Sequence, residues 1–484
     1  MNLEGAFLAG LPYIALASGL LIVMIGVAIR RTHFVAWSLT VLTLVATLIC
    51  HFPGYEALGE GTTLTMLFYV DGVSYVFNAM FVLAAIFTAV IAYQYVQERL
   101  GYPEEFYLLL LAATFGGMML PAATHFASLI LGLEIVSISL YAMIAYPQRA
   151  RGPLEAGLKY MILSGVGSTT ILFGMALIYA ASGSMEFMDV SPVTGSMEGD
   201  TFYLIGHAFF WSGIAFKLSL VPFHIWTPDV YQGAPAIVTG FVATVSKGAV
   251  FVVVMRYVMQ SDVFSSEAIT YVVFLNAAAS MIVGNLLALQ QKNLKRLLAY
   301  SSIAHMGYLV IALFLVSTHP GIGFETAIVY LAGYFVMTLA AFGVISVLSV
   351  HSERELATID DITGLLWRRP ILSATLIAAA LSLAGIPLTM GFIAKFYLFT
   401  AGIEGKMWTL VGLLVLGSAI GIYYYLRIVF AMTSQPEGEL ERAPNSSWTG
   451  IGAVATLGIA TVVLGVYPTP LVDLVQTLLR ASGF

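Results

Sequence analysis

Residues 211–240 read WSGIAFKLSLVPFHIWTPDVYQGAPAIVTG, an apolar segment interrupted by residues that a membrane helix rarely tolerates. A lysine near the bilayer centre costs about 2.5 to 3.5 kcal/mol on insertion scales, so Lys217 is predicted to face the bundle interior or a hydrated cavity. Pro222 lacks the N–H that would bond the carbonyl of Leu218, and its ring crowds the preceding turn. The helix is therefore predicted to break one to two turns after Lys217. Because freed backbone groups survive in a membrane only inside protein or beside water, the segment predicts a hydrated site.

The composition of the chain is that of a membrane protein. Of its 484 residues, 60% are hydrophobic and 10% are charged, and the mean hydropathy is +0.93. Repeated apolar runs of about 20 residues predict an all-α polytopic fold with about fourteen spans. The single cysteine, Cys50, excludes disulfides and cysteine-ligated zinc or iron–sulfur sites within this chain. No glycine-rich nucleotide fingerprint follows a predicted strand, so redox or nucleotide chemistry is expected in other chains.

The basic residues divide unevenly between the two sides of the predicted membrane. Loops after odd-numbered spans hold thirteen of the 20 Lys and Arg residues, including Arg149 and Arg368. Loops after even-numbered spans and the C-terminus hold three, which are Arg256, Lys406 and Arg480. The excess of positive charge marks the cytoplasmic side. Both termini are therefore predicted on the outer, periplasmic side.

The predicted spans fall into four parts. Residues 1–102 hold three N-terminal helices, 103–259 a first five-helix repeat, 260–431 a second repeat and 432–484 a C-terminal helix. The two repeats have opposite orientations because an odd number of crossings separates them. Each contains a proline at a corresponding position, Pro222 or Pro387, that is predicted to break a helix. Inverted repeats with broken helices are typical of transporters.

Glu134 is the predicted acidic residue of the site. It lies near the middle of the fifth span, with Ser137 and Tyr141 at helical spacing on the same face. The alternative is a carboxyl group that only packs against a neighbouring helix. A switchable ion pair is predicted between Glu134 and Lys217, because a nearby carboxylate favours the charged form of a desolvated lysine.

Three further residues of the first half are candidates for proton transfer. His224 lies seven residues after Lys217, and Lys247 lies near the middle of span eight, so a relay from Lys217 through His224 to Lys247 is predicted. A purely structural histidine at the break is the alternative. Lys159, close to the end of span six, is a secondary candidate that could instead extend to the headgroups.

The second half repeats the pattern of polar residues in apolar helices. In the tenth span, His305 shares a face with Ser301, Ser302 and Tyr308, a polar stripe that predicts a proton relay. Lys395 lies eight residues beyond Pro387 and is predicted to pass protons outward. Lys295, at the start of the tenth span, is expected only to anchor the helix end on the cytoplasmic side.

Four segments resemble the antiporter-like membrane subunits of respiratory complex I, and among them the N-type subunits of bacterial NADH:quinone oxidoreductase. These segments are GLEIVSISLYAMIAY (132–146), KLSLVPFHIWTPDVYQGAP (217–235) followed by Lys247, KNLKRLLAYSSIAHMGY (292–308) and AGIPLTMGFIAKFYLF (384–399). The resemblance covers essentially the whole chain. The L-type is disfavoured because few residues follow the last span, and the M-type because it has a glutamate where this chain has Lys395.

The resemblance implies fourteen helices with two inverted five-helix repeats, and a role in coupling quinone reduction to proton translocation. It implies that Glu134, Lys217, Lys247 and Lys395 carry the protons, with Lys159, His224 and His305 as secondary groups. No cofactor or metal is expected in this chain, whereas NADH, FMN, iron–sulfur clusters and quinone are expected in partner subunits. The expected partners are other membrane-arm subunits and the lipid bilayer, with no nucleic acid.

Two other functions compete with this one. The large subunits of multi-subunit cation/proton antiporters resemble this chain so closely that the polar residues alone do not separate the two. A membrane scaffold without a transport role is disfavoured, because four intramembrane lysines would carry an insertion cost of roughly 10 kcal/mol in total.

Overall fold

The structure is a computed structural model that describes residues 3–59, 61–99, 101–147, 151–190, 197–352, 354–435, 448–480 and 483. Arg149, predicted on a cytoplasmic loop, lies outside the described residues.

Helices account for nearly all of the described regular structure. Those of the first half are α1 (Leu3–Ile29), α2 (His33–Ile49), α3 (His51–Leu58), α4 (Gly72–Arg99), α5 (Glu104–Met119), α6 (Phe126–Ala145), α7 (Arg151–Ser182), α8 (Met197–Leu218), α9 (Trp226–Gly233), α10 (Ala236–Phe241) and α11 (Lys247–Gln260). Those of the second half are α12 (Glu267–Leu289), α13 (Leu294–Val316), α14 (Pro320–Ser349), α15 (Leu365–Arg368), α16 (Pro370–Ala384), α17 (Met390–Glu404), α18 (Trp408–Thr433), α19 (Trp448–Val466) and α20 (Thr469–Arg480). A short antiparallel hairpin pairs β1 (Thr62–Thr65) with β2 (Phe68–Val70).

The prediction of an all-α polytopic membrane protein is confirmed. Within the described residues, twelve helical segments are long and apolar enough to cross a membrane. The two remaining predicted spans are the interrupted ones, where α8 is followed by a break and α9, and where α16 is followed by a break and α17. A helix satisfies its own backbone hydrogen bonds, which is why uninterrupted apolar runs fold this way in lipid.

The middle of the bundle is formed by α10, α11, α13 and α14, which are almost entirely buried, whereas most residues of α1 and α2 are at least partly exposed. Small residues allow close helix packing, as in other membrane bundles. A Cβ added at Gly174 of α7, for example, would lie only 2.5 Å from the backbone nitrogen of Phe210 in α8. The central helices are therefore shielded from lipid by a peripheral ring.

The predicted cytoplasmic loops meet on one face of the bundle, here called the basic face. Arg99 donates to the carbonyls of Ser349 (2.6 Å) and Ser352 (2.5 Å), and Arg427 donates to the carbonyl of Leu289 at 3.1 Å. These contacts join loops that are distant in sequence. The basic loops thus share one side of the molecule.

Arg256 does not belong to an outer loop, and the structure corrects that prediction. It lies inside α11, 1% exposed, and its guanidinium pairs with the Asp71 carboxylate at 2.7 Å. Asp71 precedes α4, where its side chain accepts a hydrogen bond from the Ser74 backbone at 2.9 Å. A buried arginine is tolerated here because the carboxylate compensates its charge.

Candidate functional site

The first helix break begins at Ser219, two residues after Lys217 and earlier than predicted. α8 ends at Leu218, Ser219 has a positive φ of 63°, and the helix resumes only at Trp226. Pro222 explains the early end, because its ring excludes helical conformation both at the residue before it and around the carbonyl four residues earlier.

Side chains satisfy the backbone groups that the break frees. The Trp226 indole N–H donates to the carbonyl of Phe216 at 3.0 Å. The Val221 N–H donates to Ser280 Oγ, and the Val221 carbonyl accepts from Asn276 Nδ2, both at 2.9 Å. These backbone groups of the break are therefore hydrogen-bonded within the protein, as polar backbone inside a membrane requires.

Lys217 ends in a pocket of serine hydroxyls. It is 6% exposed, and its Nζ donates to Ser137 Oγ of α6 and Ser164 Oγ of α7, each at 2.8 Å. Glu134 accepts instead from Ser168 of α7 at 2.5 Å. Ser164 and Ser168 are one turn apart on α7, so they hold the lysine and the carboxylate side by side through hydroxyls. The structure thus shows Glu134 and Lys217 close together but in separate hydrogen bonds.

Lys247 lies at the centre of the bundle, just after a π-helical turn formed by Val242–Ser246. It is 1% exposed, its Nζ donates to Ser302 Oγ at 2.9 Å, and it lies 5.4 Å from the Tyr231 ring centroid. Ser302 also accepts from the Tyr334 hydroxyl at 2.7 Å. Hydroxyl and aromatic groups thus take the place of a counter-charge.

His305 continues this network on the next turn of α13. Its Nδ1 lies 2.6 Å from the Tyr330 hydroxyl, and its ring centroid lies 5.3 Å from that of Tyr334 and 5.7 Å from that of Tyr308. The predicted polar stripe of span ten therefore contacts Lys247 through Ser302 and lies next to Lys395 through Tyr308.

Lys395 bends back to the second break. Its Nζ donates to the carbonyls of Leu383 (3.0 Å) and Ala384 (2.9 Å), at the end of α16, and lies 5.8 Å from the Tyr308 ring centroid. Pro387 lies between α16 and α17, so the carbonyls that the break frees are the ones that bind the lysine. The negative end of the half-helix favours a cation at this place.

The predicted residues therefore form two clusters. The first cluster contains Glu134, Ser137, Ser164, Ser168 and Lys217. The second cluster contains Lys247, Ser302, His305, Tyr308, Tyr330, Tyr334 and Lys395.

His224 belongs to neither cluster. It lies in the irregular stretch after α8, and among the described residues its side chain hydrogen-bonds to neither Lys217 nor Lys247. The spacing of seven residues would align His224 with Lys217 only on a continuous helix. The break removes that alignment.

Lys159 lies on the basic face, away from both clusters. It is 45% exposed and pairs with Glu155 (2.7 Å) and with Asp229 (3.5 Å), which also binds Arg296 at 2.6 Å. This position corresponds to the alternative reading of a lysine that extends toward the headgroups.

Lys295 is not a superficial anchor, and the structure corrects that expectation. It is 2% exposed, forms an ion pair with Glu355, and donates to the carbonyl of Ala234 at 2.8 Å. Glu355 also accepts from the Ala236 N–H, at the start of α10, at 2.7 Å. The pair lines a cavity of about 800 Å³ that opens on the basic face. Because Lys295 and Glu355 are sixty residues apart, no local sequence pattern indicated the pair.

Among the described residues, no group of three or more His, Cys, Asp or Glu side chains is arranged to hold a metal ion. The groups that the site does offer are amines, hydroxyls, one imidazole and one carboxylate. Such groups accept and donate protons.

Residues 123–421 match the protein family described as NADH:quinone oxidoreductase/Mrp antiporter, transmembrane. Among solved structures, the chain is similar to a chain of respiratory complex I from Thermus thermophilus with bound aureothin. The two are 31% identical, the match covers 96% of this chain and 98% of the other, and the TM-score is 0.80.

Two further solved structures share the fold. A chain of the Mrp complex from Dietzia sp. DQ12-45-1b is 20% identical, with coverage of 99% and 97% and a TM-score of 0.84. A chain of the membrane-bound sulfane sulfur reductase, an archaeal respiratory membrane complex, is 24% identical, with the same coverage and TM-score.

Proposed function

Because the chain belongs to the NADH:quinone oxidoreductase/Mrp antiporter transmembrane family, we propose that it is a proton-translocating membrane-arm subunit of an NADH:quinone oxidoreductase. The observation that carries this assignment is the 31% identity to a complex I chain over 96% of this chain. The Mrp chain shares the fold at 20% identity.

In this function the two clusters hold and release protons inside the membrane. Lys217, held by Ser137 and Ser164 beside Glu134, is the loading site of the first half. A movement that brings the Glu134 carboxylate to Lys217 favours the charged lysine, and separation favours proton release. Lys247 and His305 lead from the centre of the bundle to Lys395, which is the exit group.

The driving energy comes from other chains. NADH, FMN, iron–sulfur clusters and quinone belong to partner subunits, and the coupling reaches this chain through neighbouring membrane-arm subunits. The subunit is of the N-type, since Lys395 stands where the M-type has a glutamate. It lies in the bacterial inner membrane with both termini on the periplasmic side, as the excess of basic residues on one face supports.

The competing assignment is the large subunit of a multi-subunit cation/proton antiporter. It is supported by the family match, whose description names Mrp antiporters as well as NADH:quinone oxidoreductases. The two functions differ in their source of energy, which is electron transfer in one case and an ion gradient in the other.

Purification in mild detergent distinguishes them. We expect the chain to copurify with flavin, iron–sulfur signals and NADH-dependent quinone reduction, and to translocate protons when NADH is oxidised in vesicles. Sodium-driven proton exchange by a preparation free of flavin and iron–sulfur signals would establish the antiporter instead.

A further inference from the structure

The described hydrogen bonds leave a gap between the first cluster and the second. Lys217 bonds to serines of α6 and α7, whereas Lys247 bonds to a serine of α13. His224, predicted to connect the two lysines, bonds to neither. Three tyrosines lie in this gap: Tyr141 on α6, Tyr160 on α7 and Tyr231 on α9.

Tyr141 begins the series beside Lys217. The hydroxyls of Ser137 and Ser164, which hold Lys217, are among its polar neighbours. The Tyr141 hydroxyl is buried and makes no hydrogen bond within the described part of the chain. Its ring meets that of Tyr160 edge to face, with centroids 5.3 Å apart.

Tyr160 lies between the two lysine sites. It is 3% exposed, and its ring stacks on Trp226 at a centroid distance of 4.8 Å. Trp226 is fixed by its hydrogen bond to the last turn of α8, so the helix break itself positions Tyr160. The polar neighbours of Tyr160 are Tyr141, Glu134 of the first cluster, and Ser246, the residue before Lys247.

Tyr231 ends the series beside Lys247. It is fully buried, and its ring lies 5.4 Å from Lys247 Nζ. Ser302, Tyr334 and Tyr160 are its polar neighbours, yet its hydroxyl forms no hydrogen bond among the described residues. Tyr231 therefore contacts the second cluster and approaches the first through Tyr160.

We propose that Tyr141, Tyr160 and Tyr231 form a hydroxyl bridge, completed by water, that passes protons between Lys217 and Lys247. This inference rests on the proposed function. A buried hydroxyl without a partner is a place where water binds. A tyrosine hydroxyl both donates and accepts, so it takes a proton from one side while releasing its own to the other. Lys217 loses one proton, neutral Lys247 gains one, and each tyrosine returns to its original form.

Removing single hydroxyls tests the bridge, because phenylalanine keeps the ring packing. Tyr160→Phe, Tyr231→Phe and their double variant are compared in the purified, vesicle-reconstituted complex, with NADH-driven proton translocation and quinone reduction measured in parallel. Each single variant is expected to slow translocation about tenfold. This is less than the rate enhancement that a positioned acid or base typically provides. The double variant is expected to be no slower than the worse single one, because the steps are in series.

The matched control is Tyr203→Phe on α8, which also removes a buried hydroxyl without a described hydrogen bond and lies outside both clusters. It is expected to pump normally. Lys217→Ala serves as the reference for the proposed function. Tyrosine variants that pump like wild type beside an impaired Lys217→Ala would overturn the bridge alone, as would a double variant whose loss is the product of the two single losses.

Normal pumping by Lys217→Ala would instead overturn the proposed function, and the bridge with it. If neither phenylalanine variant yields assembled complex, Tyr141→Phe takes their place. Its ring is less buried, and the same outcomes apply to it.

Discussion

Gly385 shapes the site around Lys395 in two ways. It ends α16 with a φ of +84°, a left-handed conformation that side chains other than glycine rarely adopt. An added Cβ would also lie 2.9 Å from Lys395 Cδ. The glycine therefore allows both the turn of the chain and the return of the lysine to the carbonyls of the break.

Gly385→Ala is expected to destabilise the fold by about 1 to 2 kcal/mol through its backbone conformation, and to slow proton translocation by displacing Lys395. Thermal unfolding in detergent and translocation in vesicles measure the two effects. Gly412→Ala is the control, because no atom lies within 4 Å of its added Cβ. Equal behaviour of the two variants would show that Gly385 does not position Lys395.

Glu134 and Lys217 are expected to act as one switch. Glu134→Gln and Lys217→Ala should each slow translocation about tenfold, equivalent to about 1.4 kcal/mol of barrier. The double variant should be far less impaired than the product of the two, because both single changes disable the same pair. Rates measured on assembled complex in vesicles complete the cycle, and independent effects of the two changes would rule out the pair.

The chemistry of the site was predictable where a residue was costly in its surroundings. Lys217, Lys247 and Glu134 stand out because an ionisable side chain in an apolar membrane helix is energetically costly. Ser137 and Ser302 stand out only as neighbours on the faces of Glu134 and His305, and their bonds to Lys217 and Lys247 depend on packing between distant helices. Ser164 and Ser168 do not stand out at all, since serine is an ordinary residue in such helices. His224 was predicted to join the relay because it lies seven residues after Lys217. That spacing places two residues on the same face only if the helix is unbroken.

At the scale of the helices, the buried ion pair of Asp71 and Arg256 ties the start of α4 to α11, the helix that carries Lys247. Neither partner could be assigned from the sequence, because Arg256 lies near the end of a span and its partner is 185 residues away. The breaks, in contrast, followed from Pro222 and Pro387, and only the onset of the first one differed.

Arg256→Ala is expected to destabilise the protein by about 3 to 5 kcal/mol, because it leaves a buried carboxylate unpaired. Asp71→Asn combined with Arg256→Met should recover much of the loss, since asparagine still caps α4. Thermal unfolding of the purified complex measures both.

The control is Arg354→Ala, which breaks the ion pair between Arg354 and Asp361. Because the Arg354 side chain is 66% exposed, we expect the free energy of unfolding to fall by only about 0 to 1 kcal/mol. A double variant as unstable as Arg256→Ala alone would show that unpaired charge is not the cause.

At the scale of the whole molecule, residues 103–259 and 260–431 remain our proposal for two inverted repeats. Each contains one interrupted helix, with a lysine bound next to the break. Hydropathy predicted the all-α membrane-spanning type of the fold, because long apolar runs have few alternatives to a helix in lipid. It could not predict which helices occupy the centre, since that depends on packing between distant segments.

The topology is tested by labelling single cysteines in a Cys50→Ser background. Lys406→Cys is expected to react with a membrane-impermeant thiol reagent in intact cells, and Arg368→Cys only after the membrane is opened. Both side chains are exposed, and the interrupted span formed by α16 and α17 separates them in the chain. Labelling of Arg368→Cys in intact cells would reverse the orientation.

The central claim is that buried lysines of this chain carry protons whose movement is driven by electron transfer elsewhere. The most direct measurement is the ratio of protons translocated to quinone reduced in vesicles that contain the assembled Lys247→Met complex, with Lys406→Met as control. Our account predicts a lower ratio for Lys247→Met and the wild-type ratio for Lys406→Met. A wild-type ratio in fully assembled Lys247→Met complex would contradict it.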